Sequence, residues 1–157
     1  MRRRGFTLIE MMVVVAVIAI LALVALPNMQ GSFVREQVVE AMRLADIAKA
    51  PVAASWLLAH SLPADNAAAG LPVAEKIVSN TVQSVVVEGG AIHVSFGNNA
   101  NAAIRGKTLS LRPAVVDDAP VVPVAWVCAG AAVPGKMSVK GTDRTTLPKA
   151  YLPLNCR

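Results

Sequence analysis

Hydrophobic positions are crowded at the start of this chain and spaced out afterwards. From Phe6 to Leu26 the only charged residue is Glu10. A helix of that length, rising about 1.5 Å per residue, crosses roughly 30 Å of hydrocarbon. Pro27 then removes the helix hydrogen bond to the carbonyl of Leu23, which predicts a kink. Beyond it the apolar positions thin to Phe33, Val34, Val38, Met42, Ala45, Ile47 and Ala48, while Arg35, Glu36, Glu40, Arg43, Asp46 and Lys49 take much of the other face. That is an amphipathic helix in need of a partner surface. Glu40 with Arg43, and Asp46 with Lys49, are i,i+3 pairs of weak helical support. Pro51 predicts a second kink or a restart, and the helical pattern continues from Val52 to His60. A charge on His60 would suit the dipole at the helix end.

Ser61 to Asn66 closes the helix, and a loop with little structure is expected to about Lys76. The period then changes to two. Val82 to Glu88 and Ala91 to Phe96 read as strands joined by the hairpin signal Gly89-Gly90. Ile92, Val94 and Phe96 point one way; His93 and Ser95 point the other, so His93 is expected to face solvent. Gly97 to Gly106 is a loop, Lys107 to Arg112 a third strand with Leu109 and Leu111 inward, Asp117 to Pro123 a Pro-rich connection, and Val124 to Cys128 a fourth strand. Gly130 to Pro153 is turn-rich. A long helix followed by an antiparallel sheet is an α+β architecture, with the helix covering one sheet face.

The chemistry of the first residues narrows this picture. Arg2, Arg3 and Arg4 hold the leading end on the cytoplasmic side of a membrane. No small-residue A-x-A cleavage site follows the apolar run, and the only small residue at the basic-to-apolar boundary is Gly5. A carboxylate within a membrane helix is costly and calls for a partner. A cut after Gly5 would give Phe6 a charged amine, the obvious mate for Glu10, four positions away in the same helix or across to a neighbouring one.

The string RRRGFTLIEMMVVVAVIAILALVALPNMQ resembles the class III leader and first helix of type IV pilins and pseudopilins, at Gly5, Phe6, Thr7, Leu8, Ile9, Glu10 and Pro27. The resemblance implies that an inner-membrane prepilin peptidase cuts between Gly5 and Phe6 and N-methylates Phe6. It also implies that Glu10 pairs with the Phe6 amine of an adjacent subunit as a filament grows, Thr7 belonging to the same assembly segment. The family often has a glycine midway along this helix; here Ala19 stands, which favours helix by about 1 kcal/mol. Any unwinding in a filament would therefore centre on Pro27. The order of helix, loop, four-stranded meander and C-terminal region, ending WVC…LPKAYLPLNCR, is also similar to the pilin head. The implied organisation is a leader at 1–5, a transmembrane and filament-core helix at 6–26, an amphipathic helix at 27–60 and a head at 61–157.

Composition adds a brace and a charge gradient. Aromatic residues make up only 4% of the chain, and a small aromatic-poor core is marginal alone. Cys128 and Cys156, in a domain exported to an oxidising compartment, are expected to close a disulfide-bounded region over 128–156; unpaired thiols are the alternative. Residues 6–104 carry four basic against seven acidic side chains, net −3, and residues 105–157 eight against three, net +5. The distal part is the basic part.

No enzyme constellation emerges, and no cofactor or metal is expected. His60 and His93 are the only histidines, two cysteines without nearby histidine fall short of a zinc set, and Asp117-Asp118 reads as a solvated pair in a Pro-rich loop. The leading function is a structural subunit of a type IV pilus serving adhesion and twitching motility, its helices bundling in the filament. Its partners would be other copies of itself, prepilin peptidase, the inner-membrane pilus assembly machinery, and the inner membrane before assembly. It would end on the surface of a Gram-negative bacterium. Two alternatives stand beside this. One is a minor or competence pilin holding DNA through Lys136, Lys140, Arg144 and Lys149; the other is a pseudopilin of a type II secretion system.

Overall fold

The computed structural model describes residues 5–157 and, at 26–30, the backbone alone. The leader read at 1–5 thus lies outside the described residues except for Gly5. Helix α1, Leu8–Ala59, contributes to two compact units, Met1–Phe33 and Val34–Arg157. In the first unit, the stretch Leu8–Ala25 has a mean hydropathy of 3.0 and no residue buried. The helix runs without interruption through Pro27, whose side chain lies outside the described residues.

In the second unit α1 presents Val34, Val38, Ala41, Ala45, Ala48, Val52 and Trp56 to the core. Their spacing of three and four residues sets them on one face, and the alanines allow a close approach to the sheet. Phe33 and Ile47, expected inside, are exposed, and Ala41 takes a core place instead. The helix does not restart at Pro51. Burial of Ala48, Val52 and Trp56 on either side outweighs one lost hydrogen bond. Asp46 and Lys49 form their pair at 2.7 Å; among the described residues Glu40 and Arg43 form none. His60 ends the helix with φ 52°, its N–H donating to Trp56 O at 3.1 Å.

The sheet is antiparallel in the order β1-β2-β3-β4: β1 Val82–Glu88, β2 Ala91–Phe96, β3 Thr108–Val115 and β4 Ala125–Cys128. The first two strands fall where the alternation puts them. Gly89 and Gly90 both have positive φ, as a two-residue hairpin of this hand requires. Strand β3 continues past Arg112, because the carbonyl of Pro113 accepts the N–H of Lys140 and the missing proline N–H costs the ladder little. Ile92, Val94, Phe96, Leu109 and Leu111 meet the core face of α1.

The expected loose loop at 61–76 is instead tightly held. Asp65 Oδ1 accepts from Ala68 N, and a short 3-10 turn occupies Ala74–Lys76. The buried Asn66 donates to the carbonyls of Pro72 and Val85 at 3.0 Å and accepts from Val87 N at 2.6 Å. One side chain thus ties the loop to β1.

A fifth strand, β5 Ser138–Val139, pairs with β3 at Ala114 and Val115 on the flank that β2 has vacated. The chain then crosses the outer face of β3. It re-emerges on the β4 flank, where Thr146 N bonds Thr108 O and Thr145 Oγ1 accepts from Ser110 N. Gly141, at φ 79°, begins the crossing so close to β2 that a Cβ there would fall 2.6 Å from Ala91 Cβ. Cys128 and Cys156 are joined as a disulfide, tying β4 to the last residues of the chain.

Candidate functional site

The first unit holds the residues on which processing and assembly would act. Phe6 is exposed, and α1 begins two residues later. Thr7 is its N-cap. Its Oγ1 accepts from Glu10 N at 3.4 Å, while its own N–H donates to Glu10 Oε2 at 3.5 Å. This reciprocal arrangement satisfies two of the donors that a helix start leaves open, and it sets a carboxylate at the positive end of the dipole. The signal was readable in Thr7-Leu8-Ile9-Glu10, a T-x-x-E capping sequence. Through Ala25 every described side chain is then exposed. An apolar surface of this extent is compatible with lipid or with other helices, not with water.

Of the four basic residues singled out in the head, Lys140 and Arg144 are engaged in ion pairs. Lys140 Nζ lies 2.8 Å from Asp117 Oδ1, and Ser138 Oγ donates to Asp117 Oδ2 at 2.7 Å. Hydrogen bonds from Lys140 and Ser138 hold the exposed Asp117 carboxyl below its ordinary range. Arg144 Nη2 lies 2.7 Å from Glu88 Oε1 at the end of β1. Lys136 and Lys149 are exposed, and among the described residues neither has an ion-pair partner. Asp118 stays exposed in its loop as expected.

His93 does not face solvent. The crossing segment covers it and leaves it 3% exposed. Alternation put its side chain on the outer face correctly; what the pattern could not show is that residues fifty positions later return to cover that face. His93 Nδ1 is 2.9 Å from Ser110 Oγ, which also accepts from Arg144 N at 2.9 Å. Burial, then the Arg144 charge, lowers the imidazole below its ordinary value against the pull of Glu88 and Asp143. Burial raises Asp143, but hydrogen bonds from the Thr145 side chain and backbone, with the Arg112 charge, bring it net below the usual carboxylate range.

The chain thus combines an unburied apolar N-terminal helix with a helix-on-sheet head closed by a disulfide. Residues 34–157 match the pilin family, described as a bacterial filament pilin, and residues 1–26 match the prokaryotic N-terminal methylation motif. The chain belongs to the pilin family. It is 34% identical to the fimbrial protein of Neisseria meningitidis serogroup B (strain ATCC BAA-335 / MC58), over 99% of this chain and 94% of that one. It is 39% identical to the type IV major pilin protein PilE of Neisseria gonorrhoeae over 80% and 74% of the two chains. With the fimbrial protein EcpC of Eikenella corrodens it shares 35% identity over 99% and 91%.

Proposed function

We propose that this chain is the structural subunit of a type IV pilus on the surface of a Gram-negative bacterium. Prepilin peptidase cuts between Gly5 and Phe6 and methylates the new amine of Phe6. Until assembly the protein rests in the inner membrane through Leu8–Ala25; the pilus machinery then transfers that helix from lipid into a bundle of identical helices. Glu10 pairs with the Phe6 amine of a neighbouring copy, fixing a register that an apolar seam alone would let slide. Helix flexibility for this packing centres on Pro27.

The observation that carries the proposal is the wholly unburied Leu8–Ala25 stretch, begun by Thr7 and Glu10. Kinship with proteins named as fimbrial proteins and major pilins supports the filament over a secretion piston. Two of the four basic residues considered for DNA, Lys140 and Arg144, are engaged by Asp117 and Glu88, which weighs against a phosphate-binding stripe. The test is the intact mass of the chain from sheared surface fibres. A polypeptide beginning at methylated Phe6 is expected; fibres lacking the chain, or a chain still beginning at Met1, would refute the reading.

A further inference from the structure

His93, Ser110, Arg144 and Glu88 form a cluster with no place in the assembly chemistry, drawn from β2, β3, the crossing segment and the end of β1. The ring is 3% exposed, on the sheet face where the Gly141–Thr146 segment bonds Ser110 Oγ beside it through Arg144 N. Its Nδ1 meets Ser110 Oγ, the atom that holds Arg144 N in place. Its Nε2 has no hydrogen-bond partner among the described residues, the nearest acid oxygen, Glu88 Oε2, lying 3.9 Å away and already engaged with Arg144 through its other oxygen. The charged groups facing the ring are Glu88 from β1 and Arg144 and Asp143 from the crossing segment. Ser110 is its β3 contact, and α1 packs on the opposite face of the sheet.

We propose that His93 is the pin of a proton-sensitive latch: the segment Gly141–Thr146 lies closed over the sheet while the imidazole is neutral and lifts when it is protonated. A ligand shifts a two-state equilibrium by its differential affinity for the states, and here the ligand is a proton. In the closed state an imidazolium would be desolvated, without an acceptor at bonding distance of Nε2, and beside the Arg144 guanidinium. Lifting the segment brings water to the ring and moves Arg144 away, so the open state binds the proton more tightly. The sign follows. The folded, closed protein holds a His93 that is harder to protonate than an ordinary one, so closure is fully favoured above the ordinary histidine range and is lost as pH falls below it. Gly141, already in the left-handed region, is the hinge. The Lys140–Asp117 pair and the disulfide keep both ends of the region anchored, so the event is local.

The test is amide hydrogen exchange on the full chain in detergent micelles with the disulfide intact, followed from pH 8 to pH 4.5, with rates normalised to an unstructured chain at each pH. Protection at Arg144, Thr145 and Thr146 is expected to fall at least fivefold with acidification, with a midpoint below that of an ordinary histidine, while Val94 and Leu109 in the central ladder keep theirs. In His93→Gln the pH dependence of the three amides should vanish. Arg144→Gln, which keeps the imidazole and removes its neighbouring cation, should raise the midpoint. Flat protection in the unmodified chain, an undiminished acid loss in His93→Gln, or an unmoved midpoint in Arg144→Gln would each overturn the latch.

Discussion

Leu8–Ala25 and Val34–Ala59 belong to one helix, yet they meet opposite requirements. The second stretch alternates apolar and charged positions, and its apolar face is covered by the sheet of its own chain. The first is apolar apart from Thr7's partner Glu10, and none of its residues is buried among the described residues. A helix of the first kind is complete only in lipid or among other helices. The chain therefore divides its stability from its function. The head has its own core and disulfide, and the N-terminal stretch is left for lipid or other helices to cover.

That division can be broken or sharpened by experiment. The largest effect is expected from Val17→Arg, which sets a cation in the middle of the apolar stretch: surface fibres should disappear while the thermal unfolding of the head stays unchanged. A shifted head transition would show that the two regions are not independent. Next is Cys128→Ser combined with Cys156→Ser, which should cost the head about 3–4 kcal/mol through restored chain entropy in the unfolded state. Denaturant titration reads this directly, and the membrane helix should be unaffected.

Asn66→Ala should cost about 2–3 kcal/mol, since it leaves the Val87 N–H and two carbonyls without their partner. Exchange of the Val87 amide should rise with it. The smallest effect belongs to Asp117, whose folded carboxyl is depressed by Lys140 and Ser138. Its contribution is present above the ordinary carboxylate range and is lost as pH falls through the folded value. A stability–pH profile should show a slight acid loss that Asp117→Asn removes.

The same contrast explains what could be read from the residues alone. Local periodicity was enough for α1, for the β1–β2 hairpin around Gly89-Gly90 and for the inward set Ile92, Val94, Phe96, Leu109 and Leu111, because each is decided by neighbours in the sequence. The apolar stretch was plain for the same reason, whereas the T-x-x-E cap at Thr7 and Glu10, though local, went unread. Within α1 the period misplaced Phe33 and Ile47, which are exposed, and missed Ala41; most other misses are long-range. His93 was placed on the correct face but given to solvent, because the segment that covers it lies far along the chain. The loop at 61–76 read as loose because Asn66 finds Val85 and Val87 across some twenty positions. Two-residue β5 has no periodicity to detect, and the ion pairs of Lys140 with Asp117 and Arg144 with Glu88 join residues far apart in the chain. Where a polar side chain spends its hydrogen bonds is a tertiary fact, and pattern alone does not carry it.

The proposed assembly turns on Glu10, the one charged residue between Phe6 and Leu26. The most direct measurement is of cells whose only copy of the chain carries Glu10→Val, scored together for the mass of the membrane-resident protein and for surface fibres. A chain correctly cut at Phe6, present in the membrane and absent from any fibre, is the predicted result. Abundant fibres of normal form built from the Glu10→Val chain would contradict it.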